Sequence, residues 1–481
     1  MEDEYLKPDM EFIKEIKSSG GDTLKRCYQC ATCSVTCPQA PENNPFPRKE
    51  MIWAQWGLKD RLIKDPDIWI CHYCGDCTTH CPRGAKPGEV LNAIRQQSIA
   101  HYSTPGALTN LVGKKSFLPA LFGIPLIIFL AYIGITGGFS LFSSTETIIY
   151  ANLFPQIGFI DPLFIALAIL VVASAGSGCL RMWKDMNNSF PPVRKKSVGG
   201  SVVSTLIAIF THRKFNECVV NKDRFWAHFF TFYGFVLLAI TTAIIAGLEW
   251  LSILHIVDME SIGIRETHLS NTYNIPVLGH IGESVTPLDS GVIGILFKLL
   301  ANAGAVALIG GIGLVTLNRL KKEEKGAYFD WLLIITIMGV ALSGIGSEIF
   351  RWVGISILAY PTYTIHLIFV FALFAYLPFS KLGHLFYRTV ALIYLDYSGR
   401  NEPILVEEKA VEVEEVAVET EEAPEPEPEG EGEAEAPAEE EAPTTEEAPP
   451  AEEGGAEPEA PAEEPKPEST AEEPEQPVDK S

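Results

Sequence analysis

Six long apolar runs separated by polar loops fill the middle of this 481-residue chain, near 116–138, 157–183, 225–252, 290–317, 329–352 and 362–390. Each approaches or exceeds the roughly 20 apolar residues that carry a helix across a hydrocarbon layer. Backbone groups in lipid find no water, so such runs must satisfy their hydrogen bonds internally, as helices. A soluble all-helical domain is the competing reading, and six runs of this length with few charges weigh against it. Residues 1–25 are polar and read as helical. Between Lys49 and Lys64, the residues Met51, Ile52, Trp56, Leu58, Leu62 and Ile63 recur at helical spacing. The pattern predicts an all-α chain.

Charge gives the bundle a direction. Arg181, Lys184, Arg194, Lys195, Lys196, Arg213 and Lys214 cluster at and after the second run, and Arg319, Lys321, Lys322 and Lys325 lie between the fourth and fifth. The loop between the third and fourth runs carries only Arg265. Basic loops stay cytoplasmic, so both termini are expected in the cytoplasm and the chain in the inner (cytoplasmic) membrane as a multi-pass protein. The net charge of −24 comes from the tail: residues 401–481 hold 31 Asp+Glu and 3 Lys, which leaves residues 1–400 at net +4. Nothing there suggests a nucleic-acid partner. The Glu/Ala/Pro-rich tail cannot bury an apolar core and is expected to be disordered, as a solvated extension or a contact for a basic partner.

Eight of the ten cysteines fall between Cys27 and Cys81. The N-terminus MEDEYLKPDM has neither the basic nor the apolar region of a signal peptide, so a reducing compartment is expected, where clustered thiols point to metal rather than disulfides. The arrangement is Cys27-x2-Cys30-x2-Cys33-x3-Cys37-Pro38, repeated as Cys71-x2-Cys74-x2-Cys77-x3-Cys81-Pro82. This is the two-cluster ferredoxin run, in which the fourth Cys of each motif serves the other cluster. One 4Fe–4S cluster is therefore assigned to Cys27, Cys30, Cys33 and Cys81, and the second to Cys71, Cys74, Cys77 and Cys37. Zinc is the alternative, but zinc sites usually take two Cys pairs rather than two runs of four. The 33 intervening residues suit a helical ferredoxin domain over 1–105 better than a compact βαβ type. A transmembrane bundle over 106–395 and the tail over 401–481 complete the expected organisation.

Histidines within apolar runs are functional candidates by default. His228 starts the third run and His384 ends the sixth, both at the cytoplasmic level, so the two are paired as ligands of an inner haem b, which takes imidazoles from facing helices. His366 lies 18 residues before His384, about 27 Å along one helix, so a single helix would serve a haem near each face. His72, His80 and His101 read as surface or cluster-neighbouring residues and His212 as a surface residue of a basic loop. Lys298, with Asn302 one turn on, marks a candidate quinone site or a side chain that snorkels to the interface.

The segment DIWICHYCGDCTTHCPRGAKPGEVLNAIRQQ resembles the small iron–sulfur subunit of heterodisulfide reductases. The active-site cysteine doublet of disulfide-reducing relatives is absent, which implies a relay. The segment HLIFVFALFAYLPFSKLGHLFYR resembles the last span of the cytochrome b subunit of membrane nitrate reductases. That resemblance implies haem ligands at His366, His384 and His228. The family's remaining ligand position is Leu238 here, so an outer haem at His366 would need His280 or His255, with His268 a weaker option. The combined layout, over roughly 10–395, is similar to the membrane subunits of quinone-interacting membrane-bound oxidoreductase complexes. The resemblance implies soluble flavin and iron–sulfur partner subunits, menaquinone as membrane substrate, and adenylylsulfate reductase as acceptor in sulfate respiration. A related complex serving a heterodisulfide or sulfite, a docking anchor with structural clusters, and a transporter are the other readings. The runs lack the paired Gly/Pro-broken repeats of a transporter.

Overall fold

Asp9 caps the first helix, α1 (Met10–Ser18), by accepting the Phe12 amide at 2.9 Å, and Phe12, Ile13 and Ile16 turn inward. The computed structural model describes residues 7–42, 44–193, 195–217, 220, 222–254, 256, 273–275, 279–281, 292–321 and 327–400. Met1–Glu407 forms one compact unit by itself. The acidic tail 401–481 lies outside the described residues.

Helices α2 (Arg48–Gln55), α3 (Lys59–Lys64) and α4 (Pro87–Tyr102) complete the N-terminal region with α1. Pro87 opens α4, where a missing N–H costs nothing. The expected boundary at residue 105 does not divide the core. Phe12, Leu24, Met51, Trp69, Leu91 and Ile94 share one apolar cluster with Met182 and Met186 from the second apolar run and with Tyr387 and Tyr394 from beyond the sixth span.

Six helices among the described residues are long and apolar enough to cross a membrane. The first two are α5 (Leu118–Thr136) and α6 (Asp161–Ser189). Between them and the third lies a helix not foreseen in the polar loop, α7 (Val198–Thr211). Its 14 residues reach about 21 Å, short of a roughly 30 Å crossing. The others are α8 (Asp223–Ile253), α9 (Val292–Lys321), α10 (Tyr328–Val353) and α11 (Ser356–Ala375). A short antiparallel hairpin, β1 (Tyr273–Ile275) with β2 (Gly279–Ile281), interrupts the otherwise helical fold in the loop before α9.

Glycines set the closest helix pair. A Cβ on Gly311 of α9 would stand 2.3 Å from the Thr231 amide nitrogen, and one on Gly234 of α8 would stand 2.5 Å from that of Leu308. Backbones approach this closely only where side chains are absent.

The sixth apolar run, expected as one helix over 362–390, is two. After α11 the chain makes 3₁₀ turns at Leu377–Phe379 and Lys381–Gly383, and α12 (His384–Ser398) begins at His384. Pro378 has no amide to continue the helix and disfavours helical geometry in the residue before it. Ser380 then accepts the Leu382 amide at 3.2 Å and caps the next turn. His366 and His384 therefore do not share a helix axis.

Candidate functional site

The two cysteine motifs fold alike. Gln29 and Ala31 in the first, and Tyr73 and Gly75 in the second, hold positive φ at matching positions. In each, the second left-handed residue leads into a four-residue helix, Thr32–Val35 or Asp76–Thr79. Left-handed backbone is costly for residues other than glycine, and here it curls each loop around its thiols. Side chains brace the loops from behind. Gln55 donates to the Cys27 carbonyl at 2.8 Å, Arg48 to the Gln29 carbonyl at 3.1 Å, and Arg95 to the Cys71 carbonyl at 2.9 Å.

The thiols gather in two sets. Burial raises the Cys27 thiol, and Cys81 and Cys30 raise it further. Burial lifts Cys33 to about 11, with Cys27, Cys30 and Cys81 adding to it. In the other set burial pushes Cys37 up to about 12, with Cys71 and Cys74 contributing. Cys77 is raised by burial together with Cys71, Cys74 and Cys37. Cys30 runs the other way, lowered by its bond with the Thr32 hydroxyl. Four thiolates cannot share such a pocket without a compensating positive centre, and the donor set suits iron–sulfur clusters. Each set takes its fourth cysteine from the other motif.

The second motif abuts a cavity of about 510 Å³ lined by His72, His212, His228, His384, Lys214 and Arg388 among others. A second cavity of about 250 Å³ is also lined by His228 and His384, with Arg224, Arg319 and Lys381 at its polar end. His228 comes from α8 and His384 from the start of α12, so the helix break places His384 on the cavity wall. The His384 Nδ1–H donates to the Lys381 carbonyl at 2.7 Å, which leaves the lone pair of a neutral ring on Nε2. Arg388 links the cavity to the cysteine loop: it donates to the His72 ring at 3.1 Å and to the Cys71 carbonyl at 3.4 Å. Burial, with Arg388 close by, holds His72 neutral well below the usual histidine range. Asp330 anchors the basic end, accepting from Arg319 at 3.1 Å and from Lys381.

His212 is not the surface residue expected. It is 5% exposed, and its Nε2 lies 3.1 Å from His228 Nδ1. Helix α7 delivers it there, and an apolar stretch too short to span was the sequence signal for a helix at this place. His366 sits on α11, with Nδ1–H donating to the Val340 carbonyl at 3.0 Å, and lines neither cavity. His255 and His268 lie outside the described residues. Of His280 only the backbone is described, paired with Asn274 in the hairpin. Asn302 donates to Glu348 at 3.3 Å, and Lys298 is half-buried one turn before it.

A buried ionic group also escaped the sequence. Lys49 meets Asp67 at 2.6 Å, Asp65 at 3.0 Å and Glu50 at 3.2 Å, and Arg400 meets Asp67 at 2.9 Å. It ties the N-terminal region to the end of α12.

Residues 23–85 match the family of 4Fe-4S dicluster domains. The chain is 40% identical over 91 residues to one subunit of the H(2):CoB-CoM heterodisulfide,ferredoxin reductase of Methanothermobacter marburgensis, a match that covers 19% of this chain and 49% of that protein. It is 37% identical over 96 residues to an iron-sulfur subunit of the CoB--CoM heterodisulfide reductase of Methanopyrus kandleri, covering 20% of this chain and 43% of that protein. The chain thus spans about half the length of these relatives. It is 25% identical over 348 residues to citrate utilization protein B of Escherichia coli, covering 67% of this chain and 80% of that protein. No solved structure matches. Residues 23–85 are a 4Fe-4S dicluster domain similar to an iron–sulfur subunit of heterodisulfide reductases, joined to six helices long and apolar enough to span a membrane.

Proposed function

We propose that this chain is a membrane electron-transfer subunit that relays electrons between menaquinone in the bilayer and soluble flavin and iron–sulfur partner subunits, toward adenylylsulfate reductase. The observation that carries the reading is adjacency. Cys71 belongs to one thiol set, and its neighbour His72 lines the cavity shared by His228 and His384. When bound, two 4Fe–4S clusters and a haem b supply one-electron carriers at these places. The chain's own residues hold and orient them: Cys27, Cys30, Cys33 and Cys81 one cluster, Cys37, Cys71, Cys74 and Cys77 the other. His228 and His384 present imidazoles to the haem from two helices. Phe215 and Phe232, stacked near His228, keep water from the slot. The cations at either end, Arg388 and Lys214 or Arg224 and Lys381, suit haem carboxylates. A second haem at His366 belongs to this reading only with a partner such as His280 or His255. The basic loops set the dicluster domain on the cytoplasmic side.

The likeness to citrate utilization protein B over two thirds of the chain favours one other reading, the same relay serving a soluble partner outside sulfate respiration. Pyridine haemochrome and non-haem iron assays on the purified chain test the common core. A b-type spectrum lost in His228→Ala and His384→Ala, beside two clusters' worth of iron, is expected. A chain with iron but no b-type spectrum refutes the haem half. Reduction of the haem by a menaquinol analogue tests the relay that both readings share, and transfer onward to adenylylsulfate reductase separates them.

A further inference from the structure

We propose that His212 is a positioning residue for His228, fixing its tautomer and turning its Nε2 toward the cofactor in the cavity. The inference rests on the haem reading above and concerns a residue that reading does not use.

Four atoms settle the tautomers. The Phe210 carbonyl can only accept, and it lies 3.2 Å from His212 Nδ1, so that nitrogen carries the proton. In a neutral ring His212 Nε2 is then an acceptor. It lies 3.1 Å from His228 Nδ1, which must therefore donate. With its proton on Nδ1, His228 has its lone pair on Nε2, the form a metal-binding imidazole needs. His384 reaches the same tautomer more simply, through the Lys381 carbonyl at 2.7 Å. On α8 the helix itself supplies no such carbonyl to His228, and an imidazole from another helix takes that place.

The surroundings of His212 fix its ring, which argues against an incidental contact. Its φ of +50° is left-handed, uncommon for a residue other than glycine, and it ends α7. Phe225, Phe229 and Phe232 surround its ring edge-on, and Phe215 lies tilted against it. A buried imidazole in an aromatic cage keeps its hydrogen bonds in fixed directions.

An acceptor on Nδ1–H raises the basicity of the ligand, and loss of such a partner typically weakens metal affinity about 10–100-fold. The full-length protein, purified with its haem, allows the test. His212→Ala should weaken haem retention by about that factor on dilution. The inner haem's midpoint potential should become more positive, and its low-spin paramagnetic resonance signal should change. His212→Gln offers an amide oxygen to His228 and should restore all three toward wild type; it also carries the test if the alanine variant fails to fold. A His212→Ala protein with wild-type potential and signal overturns the proposal. So does a His212→Gln protein that loses haem as His228→Ala does, because His212 would then be a ligand itself. These outcomes are read with haem present. A wild-type chain without a b-type spectrum fails the underlying reading instead.

Discussion

Replacing Lys49 with methionine removes the cation at the centre of three carboxylates. Asp67, Asp65 and Glu50 are all fully buried, and Lys49 touches each. Only Arg400 remains, at 2.9 Å from Asp67 and 3.9 Å from Asp65. Breaking a buried pair by removing one partner costs about 3–5 kcal/mol. The cost should depend on pH in a set direction. Burial pushes both Glu50 and Asp65 well above the usual carboxylate range. A carboxyl raised in the folded state stabilises below its unfolded value, and that stability is lost as pH rises toward the folded value. Lys49 opposes that upward shift, so the variant holds these protons to higher pH than wild type does. The variant's penalty should therefore grow as pH rises from 6 to 8. The assay is urea-dependent loss of cluster absorbance in detergent at both pH values. With a urea slope of about 1–3 kcal/mol per M, the midpoint should fall by about 1 M or more, further at pH 8. A midpoint unchanged at pH 8, or a shift that ignores pH, refutes the reasoning.

Gly311→Leu should prevent α8 and α9 from docking, since its Cβ would already lie 2.3 Å from the Thr231 nitrogen; fluorescence size-exclusion should show aggregate in place of a monodisperse peak. Arg388→Ala should leave the cysteine-bound iron in place while slowing electron exchange between the clusters and whatever haem stays bound, because it removes the link from Cys71 and His72 to the cavity; stopped-flow reduction monitored at both cofactors, normalised to haem content, checks it. Cys37→Ser should abolish one cluster and spare the other, since Cys37 stands with Cys71, Cys74 and Cys77 rather than with its own motif; iron content near half of wild type is the expected reading.

The apolar helices and the dicluster motif were legible for the same reason: both are one-dimensional signals. Partition into lipid adds up along a run, and thiols two residues apart curl around one cluster wherever the loop sits. Even the break in the sixth run was written locally, in Pro378, Ser380 and Gly383, and was overrun by the hydropathy of its flanks. His384 was picked out by its level, although the continuous helix assumed to carry it does not exist.

The residues that escaped are those whose meaning is a partner far away in sequence. His212 reads as one more polar residue of a basic loop until α7 folds back and sets it 3.1 Å from His228. Arg388 is an ordinary arginine until α12 brings it to Cys71, 317 positions earlier. Lys49 and Arg400 look solvated until they close on Asp67. Sequence alone determined the six long apolar segments and which cysteines share a motif, because transfer free energy and local spacing decide them. Tertiary structure decided which side chains face one another, because that depends on helix rotation and register, set here by Gly234 and Gly311 and by a core shared between the two ends of the chain.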